Sequence, residues 1–203
     1  MHWEVLASEI MFRCRIFTVR RNHSRSLGSG QTHDFHVLDA SDWVNVIPVT
    51  RDRHVVMVRQ FRHGIRDVTM EVPAGLIDPD EAPAAAACRE LREETGYAAS
   101  GVQPLGVVHP NPGIMNNRCH IFVASDVQLV GPPQWDATEE LSVELVHLDH
   151  VAELIRSGAI SNALTLVSFH LLELHRPAHD EPVGLGSASI DLQGSGRPKG
   201  PRP

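Results

Sequence analysis

PAGLIDPDEAPAAAACRELREETGY, from Pro73 to Tyr97, is the stretch on which the reading of this chain turns. Its alanine-rich middle predicts a helix from about Ala82 to Thr95. Asp80 or Glu81 is placed to cap the start and Pro83 suits the first turn. Gly96 fits the left-handed position that stops a helix. The last turn and a half carries Glu90, Glu93 and Glu94, with Arg89 in front. Helix stability does not ask for this. Like charges one turn apart repel by roughly 0.2–0.5 kcal/mol per pair, and carboxylates oppose the dipole at a helix C-terminus.

A hard cation resolves the conflict. Glu90 and Glu94 are four residues apart and lie one above the other, with Glu93 flanking them. Carboxylate oxygens so grouped suit Mg²⁺ or Mn²⁺, with waters and phosphates completing the shell. Arg89 can hold one carboxylate in place. Ala74–Gly75 falls at a strand end, where glycine admits close backbone approach and a carbonyl can join the shell.

Outward from this helix the chain alternates strands and turns. Strands are expected within Trp3–Val19, at DFHVL, WVNVIPVT, HVVMVRQF and DVTMEVPA, then at GVQPLGVVHP, RCHIFVAS and LSVELVHL. HSRSLGSGQTH (His23–His33) reads as a loop. Asp149 is expected to cap a helix over HVAELIRSG, and a last helix spans Asn162–His175 with leucines at core spacing. Residues 177–203, rich in Gly, Pro and Ser, read as a disordered tail. The pattern is α+β, or a mixed α/β sandwich. We divide it into an N-terminal strand extension at 1–45, a main domain at 46–176 and the tail.

Composition narrows the partners. The 203 residues are 42% hydrophobic, enough for a packed core, and carry a net charge of −7. An acidic chain is not expected to bind nucleic acid or anionic membrane generally. No stretch is long and apolar enough to span a membrane, and no signal segment opens the chain. Three scattered cysteines, Cys14, Cys88 and Cys119, fit a reducing cytoplasm rather than a disulfide framework. Cys88 reads as a small buried residue. Trp3, Phe35 and Trp43 read as core aromatics. The 13 histidines form no zinc spacing.

The fixed positions can be written as Gly75, five residues, Glu81, seven residues, then Arg89-Glu90-Leu91-Arg92-Glu93-Glu94-Thr95-Gly96-Tyr97. This resembles the Nudix box, G-x5-E-x7-R-E-U-x-E-E-x-G-U with U a bulky apolar residue. Beyond it, VRQFRHG followed by MEVPAG, HPNPG with Pro112 sixteen residues after Gly96, and GAISNALTL are similar to the ADP-ribose pyrophosphatase branch. The stretch after NPG lacks the acidic residue frequent there, and NNRCH looks more like a less selective nucleotide-sugar group. The early loop also lacks that branch's usual acidic-glycine turn.

The resemblance implies a Nudix α/β/α sandwich around a mixed sheet, with N-terminal antiparallel strands that pair across a homodimer and help form the nucleotide site; stacking on a base across that dimer is then the alternative to core packing for Trp3, Phe35 and Trp43. It implies metal-dependent hydrolysis of ADP-ribose or a related nucleoside diphosphate sugar to a nucleoside monophosphate and a sugar phosphate. Carried over, Glu90 and Glu94 are metal ligands, Glu93 is a ligand or orients the water, and the Ala74 carbonyl completes the shell. Arg89 partners a box carboxylate, while Gly75 and Glu81 fix the loop. A late-loop glutamate often serves as general base. Glu140, then Glu139, are the candidates, and Glu93 competes. Arg62 and Arg118 are candidate phosphate or ribose contacts, because a guanidinium binds such groups bidentately, and the resemblance adds Pro112 to the substrate-binding candidates. Two other activities are weighed: a nucleoside triphosphate sanitiser, and a nucleotide-sensing regulator without catalysis.

Overall fold

In the computed structural model, which describes residues 2–135 and 140–175, strands dominate and three helices flank them. Three strands open the chain: β1 (Trp3–Arg13), β2 (Phe17–Ser26) and β3 (Thr32–Ala40), an antiparallel sheet in the order β1-β2-β3. The main sheet contains β4 (Trp43–Val49), β5 (His54–Arg62), β6 (Asp67–Glu71), β7 (Ala74–Leu76), β9 (Gln103–Val108), β10 (Cys119–Ser125) and β12 (Leu141–His147). Its path runs β12-β5-β4-β10-β9, with β6 paired to β5 and β7 to β4. The β10–β4 pair is parallel and the others are antiparallel, so the sheet is mixed. Two short strands, β8 (Tyr97–Ala98) and β11 (Gln128–Leu129), pair separately.

The helices are α1 (Pro83–Thr95), α2 (Leu148–Arg156) and α3 (Ala163–Leu174). The period-two alternation of β4 shows why they cover both faces. Val44 and Val46 pack with Ala86, Ala87 and Leu91 of α1. Ile47, from the opposite set, packs with Val151 of α2 and Phe169 of α3. The result is the expected α/β/α sandwich. A fully buried leucine such as Leu91 stabilises it by about 1.5–3 kcal/mol.

Several local expectations need correction. Neither Asp80 nor Glu81 caps α1: Ala82 is the N-cap, and no side chain accepts there. Instead Glu81 accepts from the Asp78 N–H and two Arg89 nitrogens, which draws it away from the helix end. His147, not Asp149, caps α2 by accepting from the Asp149 N–H. The early loop shrinks to Leu27–Gln31, because His23–Ser26 and Thr32–His33 continue the β2–β3 ladder. Trp3 and Phe35 are exposed and pack edge-on against each other, not in the core. Cys88 is half-buried. The C-terminal tail lies outside the described residues.

Candidate active site

The C-terminal half of α1 faces two ways. Glu90 and Glu94 are turned inward, 9% and 4% exposed, while Glu93 remains open to solvent. The sequence builds this orientation from Ala86, Ala87 and Leu91, whose burial fixes the rotation of the helix. Gly96 then ends the helix at φ 75°, its N–H donating to the Arg92 carbonyl.

Arg89 ties these carboxylates to the preceding loop. Its Nε and Nη2 donate to the two oxygens of Glu81 at 2.9 and 2.8 Å. Nη1 donates to Glu90 at 2.7 Å and Glu93 at 3.1 Å, and Nη2 also reaches the Leu76 carbonyl at 3.0 Å. Its bond to Glu81 chiefly, and those to Glu90 and Glu93, hold the guanidinium firmly protonated. The same Arg89 bond lowers the Glu81 carboxyl.

The other side of the constellation is β7. The Ala74 N–H donates to Glu94 Oε2 at 3.1 Å. A Cβ on Gly75 would lie 2.1 Å from the Glu90 carboxyl carbon, so only glycine admits that carboxylate against the strand. Two buried carboxylates side by side are costly without compensating charge, and oxygen donors of this kind suit Mg²⁺ or Mn²⁺. The chemistry of the donor set therefore fits a divalent ion. Among the described residues, no three His, Cys, Asp or Glu converge as they stand on one ion position. Arg89 Nη1 lies between Glu90 and Glu93 instead.

A cavity of about 690 Å³ opens at Ala74–Leu76, the strand on which Glu90 and Glu94 press. It extends past Arg62, Glu71, Asn45 and Trp43 to Phe17 and Leu38 of the small sheet and Ile16 in its β1–β2 turn, and to Ser161, Asn162 and Leu164 at the start of α3. Arg62, expected from sequence, is on its wall. Its Nε and Nη2 donate to the two oxygens of Glu71 at 2.8 and 2.6 Å. Thr69 Oγ1 also donates to Glu71. Burial pushes the Glu71 carboxyl up, but bonds from Arg62, Thr69 and Asn162 and the Arg62 charge prevail and hold it below the ordinary range.

Behind them, Asn45 donates to Ser168 Oγ at 3.2 Å and accepts from Cys119 Sγ at 3.5 Å. Burial foremost, with the charge of Asp42, pushes that thiol up to about 12, so it stays a donor. Sequence reading gave no role to Glu71, Thr69, Asn45 or Asn162. A polar residue in the apolar run WVNVIPVT was the available signal for Asn45.

Other expected residues are placed elsewhere. Pro112 and Arg118 are exposed and do not line this cavity, although Met115 of the same loop does. The Arg118 N–H donates to Asp42, which docks the loop on the short connection leading into β4. Glu140 is exposed just before β12, whose Leu141 pairs with Gln60. Glu139 lies outside the described residues.

The NUDIX domain family model matches residues 42–165, more than half of the chain and all of the box. The chain belongs to the Nudix family. It is a Nudix hydrolase, an enzyme acting on pyrophosphate bonds. It is 29% identical over 149 residues to an ADP-ribose pyrophosphatase of Bacillus subtilis, covering 73% of this chain and 80% of that protein. It is 33% identical over 160 residues to a CMP-5'-(N-acetyl-N-hydroxy-3-aminopropyl)phosphonate hydrolase of Streptomyces rubellomurinus, covering 78% and 76%. The solved structure of an ADP compounds hydrolase superposes with a TM-score of 0.74 at 24% identity, covering 85% of this chain and 92% of that one, and supports the same fold.

Proposed function

We propose that this Nudix hydrolase cuts the diphosphate of ADP-ribose or a related nucleoside diphosphate sugar, with Mg²⁺ or Mn²⁺, to a nucleoside monophosphate and a sugar phosphate. The observation that carries the reading is the join between box and cavity. Buried Glu94 accepts from the Ala74 N–H at the edge of a cavity of about 690 Å³, a size suited to a small ligand. The likeness to the ADP-ribose pyrophosphatase of Bacillus subtilis supports the substrate class.

Glu90 and Glu94 would hold the ion, with Glu93 and the Ala74 carbonyl as further donors once Arg89 Nη1 gives up its contacts to Glu90 or Glu93. Bound there, a divalent ion neutralises phosphate charge and acidifies a coordinated water. Arg62, held by Glu71, meets the diphosphate or ribose. A positioned carboxylate then takes the proton of the attacking water, which accelerates hydrolysis by about 10²–10⁴-fold. Glu140 is our first choice, with Glu93 and Glu139 as the rivals.

The reading includes a homodimer. Strand β1 is exposed along its whole length, including Trp3, Val5, Leu6, Ile10, Met11 and Phe12. Exposed apolar area of this extent marks an interaction surface, and Phe17 of the same sheet and Ile16 in the turn before it line the cavity. A cytoplasmic setting fits the three free cysteines.

The test is incubation with Mg²⁺ and ADP-ribose, GDP-mannose, UDP-glucose, NADH, dinucleoside polyphosphates, ATP or 8-oxo-dGTP, with products resolved by phosphorus NMR. Monophosphate plus sugar phosphate supports the reading and ranks the sugars. Pyrophosphate from triphosphates alone would favour a sanitiser. Ligand binding without any turnover would favour a regulator. Sedimentation across a dilution series tests the dimer.

A further inference from the structure

The geometry points to Trp135 as a positioning residue that fixes the carboxylate-bearing end of α1. The last carbonyls of a helix have no partner within it. At α1 the first of them, on Arg92, takes the Gly96 N–H. The next two belong to Glu93 and Glu94, and both are satisfied from one distant segment. The Gln134 N–H donates to the Glu93 carbonyl at 2.7 Å, and Trp135 Nε1–H donates to the Glu94 carbonyl at 2.8 Å.

That segment is itself held against the helix exit. Its β11 pairs with β8, and the Val130 N–H donates to the Gly96 carbonyl at 3.0 Å. A Cβ on Gly96 would lie 2.2 Å from the Gly131 carbonyl oxygen, so the two backbones touch there. Pro132 and Pro133 follow, each with a fixed φ, and deliver Gln134 and Trp135.

The need for such a clamp follows from the charge. Three carboxylates in the final turn and a half repel one another at the negative end of the helix dipole, a combination that favours fraying. Glu94 is fixed at both ends of the residue: its carbonyl by Trp135 and its carboxylate by the Ala74 N–H. A Mg²⁺-sized ion demands near-ideal placement of its oxygens, so a loosened last turn weakens its hold. The inference rests on Glu90 and Glu94 being the ion-holding carboxylates.

The test is Mn²⁺ binding, read from the EPR signal of the free ion, on the full chain and on Trp135→Phe, which deletes the indole N–H. Gln134→Pro deletes the neighbouring donor and serves as a second variant. Circular dichroism establishes that each is folded. The Mn²⁺ dissociation constant is expected to rise about three- to tenfold in each variant, the scale of one lost hydrogen bond. In ADP-ribose turnover, kcat should fall with KM nearly unchanged. A lower Tm with unchanged Mn²⁺ affinity in both variants makes the clamp merely structural and overturns the inference alone. Absence of Mn²⁺ binding by the unmodified chain overturns the box assignment and this inference with it.

Discussion

Two arginines bind buried carboxylates near the cavity, and they are held in different ways. Arg89 has every nitrogen engaged, on Glu81, Glu90, Glu93 and the Leu76 carbonyl. It organises a loop and a helix and does not line the cavity. Arg62 presents Nε and Nη2 to the carboxylate of Glu71 and stands on the cavity wall. Similar pairing chemistry therefore locks one region, the box, and sets a cation on the cavity wall in the other, the β5–β6 pair. The contrast predicts that damage to the box removes turnover, whereas damage to the Arg62 support weakens substrate binding.

The largest effect is expected from Glu94→Gln. It removes a buried charge but leaves an amide oxygen for the Ala74 N–H. Activity should fall about 10²–10³-fold, the scale of losing one preorganised electrostatic group, with Tm nearly unchanged by calorimetry. Full turnover at limiting Mg²⁺ would break the comparison at its first term. Gly75→Ala should follow. The new methyl meets the Glu90 carboxylate, which sits at the end of a flexible side chain and can swing aside. Stability should change by less than about 2 kcal/mol, while kcat drops about 10–10²-fold through misplacement.

Glu71→Gln addresses the other region. A KM increase of about tenfold with kcat within a few-fold is expected, from loss of a charged hydrogen-bond partner to Arg62. Acid titration adds a signed prediction. The folded Glu71 carboxyl lies below its ordinary value of 4.5, so its contribution to stability is complete above that value and is lost as pH falls through the lowered one. The Tm gap between the unmodified chain and Glu71→Gln should be widest near pH 7 and shrink as pH drops below about 4.5. A gap that holds constant to pH 3 contradicts the ion-pair account. The smallest effect concerns the uncapped start of α1. Ala82 is exposed with φ −73° and ψ 138°, geometry that a capping side chain accepts. Ala82→Asp should stabilise by about 0.5–1 kcal/mol in urea denaturation, with activity unchanged.

The box was legible in the sequence because its chemistry is local. Glu90, Glu93 and Glu94 share one helix, and helical periodicity alone places them together. The mixed α/β sandwich was legible in the order of strands and helices along the chain, and its three layers followed from the resemblance to the Nudix box. The Arg62 support was not. Glu71 and Asn162 come from β6 and the start of α3, and no spacing rule connects them. The caps of α1 and α2 were misread because Arg89 draws Glu81 away and His147 stands one residue ahead of α2, both consequences of tertiary placement. The exposure of Trp3 and Phe35 was hidden too, since alternating apolar residues look the same whether or not anything covers them.

The single parallel pairing in the main sheet has a consequence for how the chain is born. Strand β4 emerges early, but its partner β10 follows only after α1 and the loop in which Asn117 bonds Ser41 across 76 residues. Contacts so distant along the chain close late and slow folding. On the ribosome the box helix can coil as soon as it leaves the tunnel, yet Phe122 and Ala124, which belong to the floor beneath it, are then still inside. The acidic helix therefore rests on an incomplete floor, Val44 and Val46 of β4, until β10 and Val127 are also out, and its charge is seated only then.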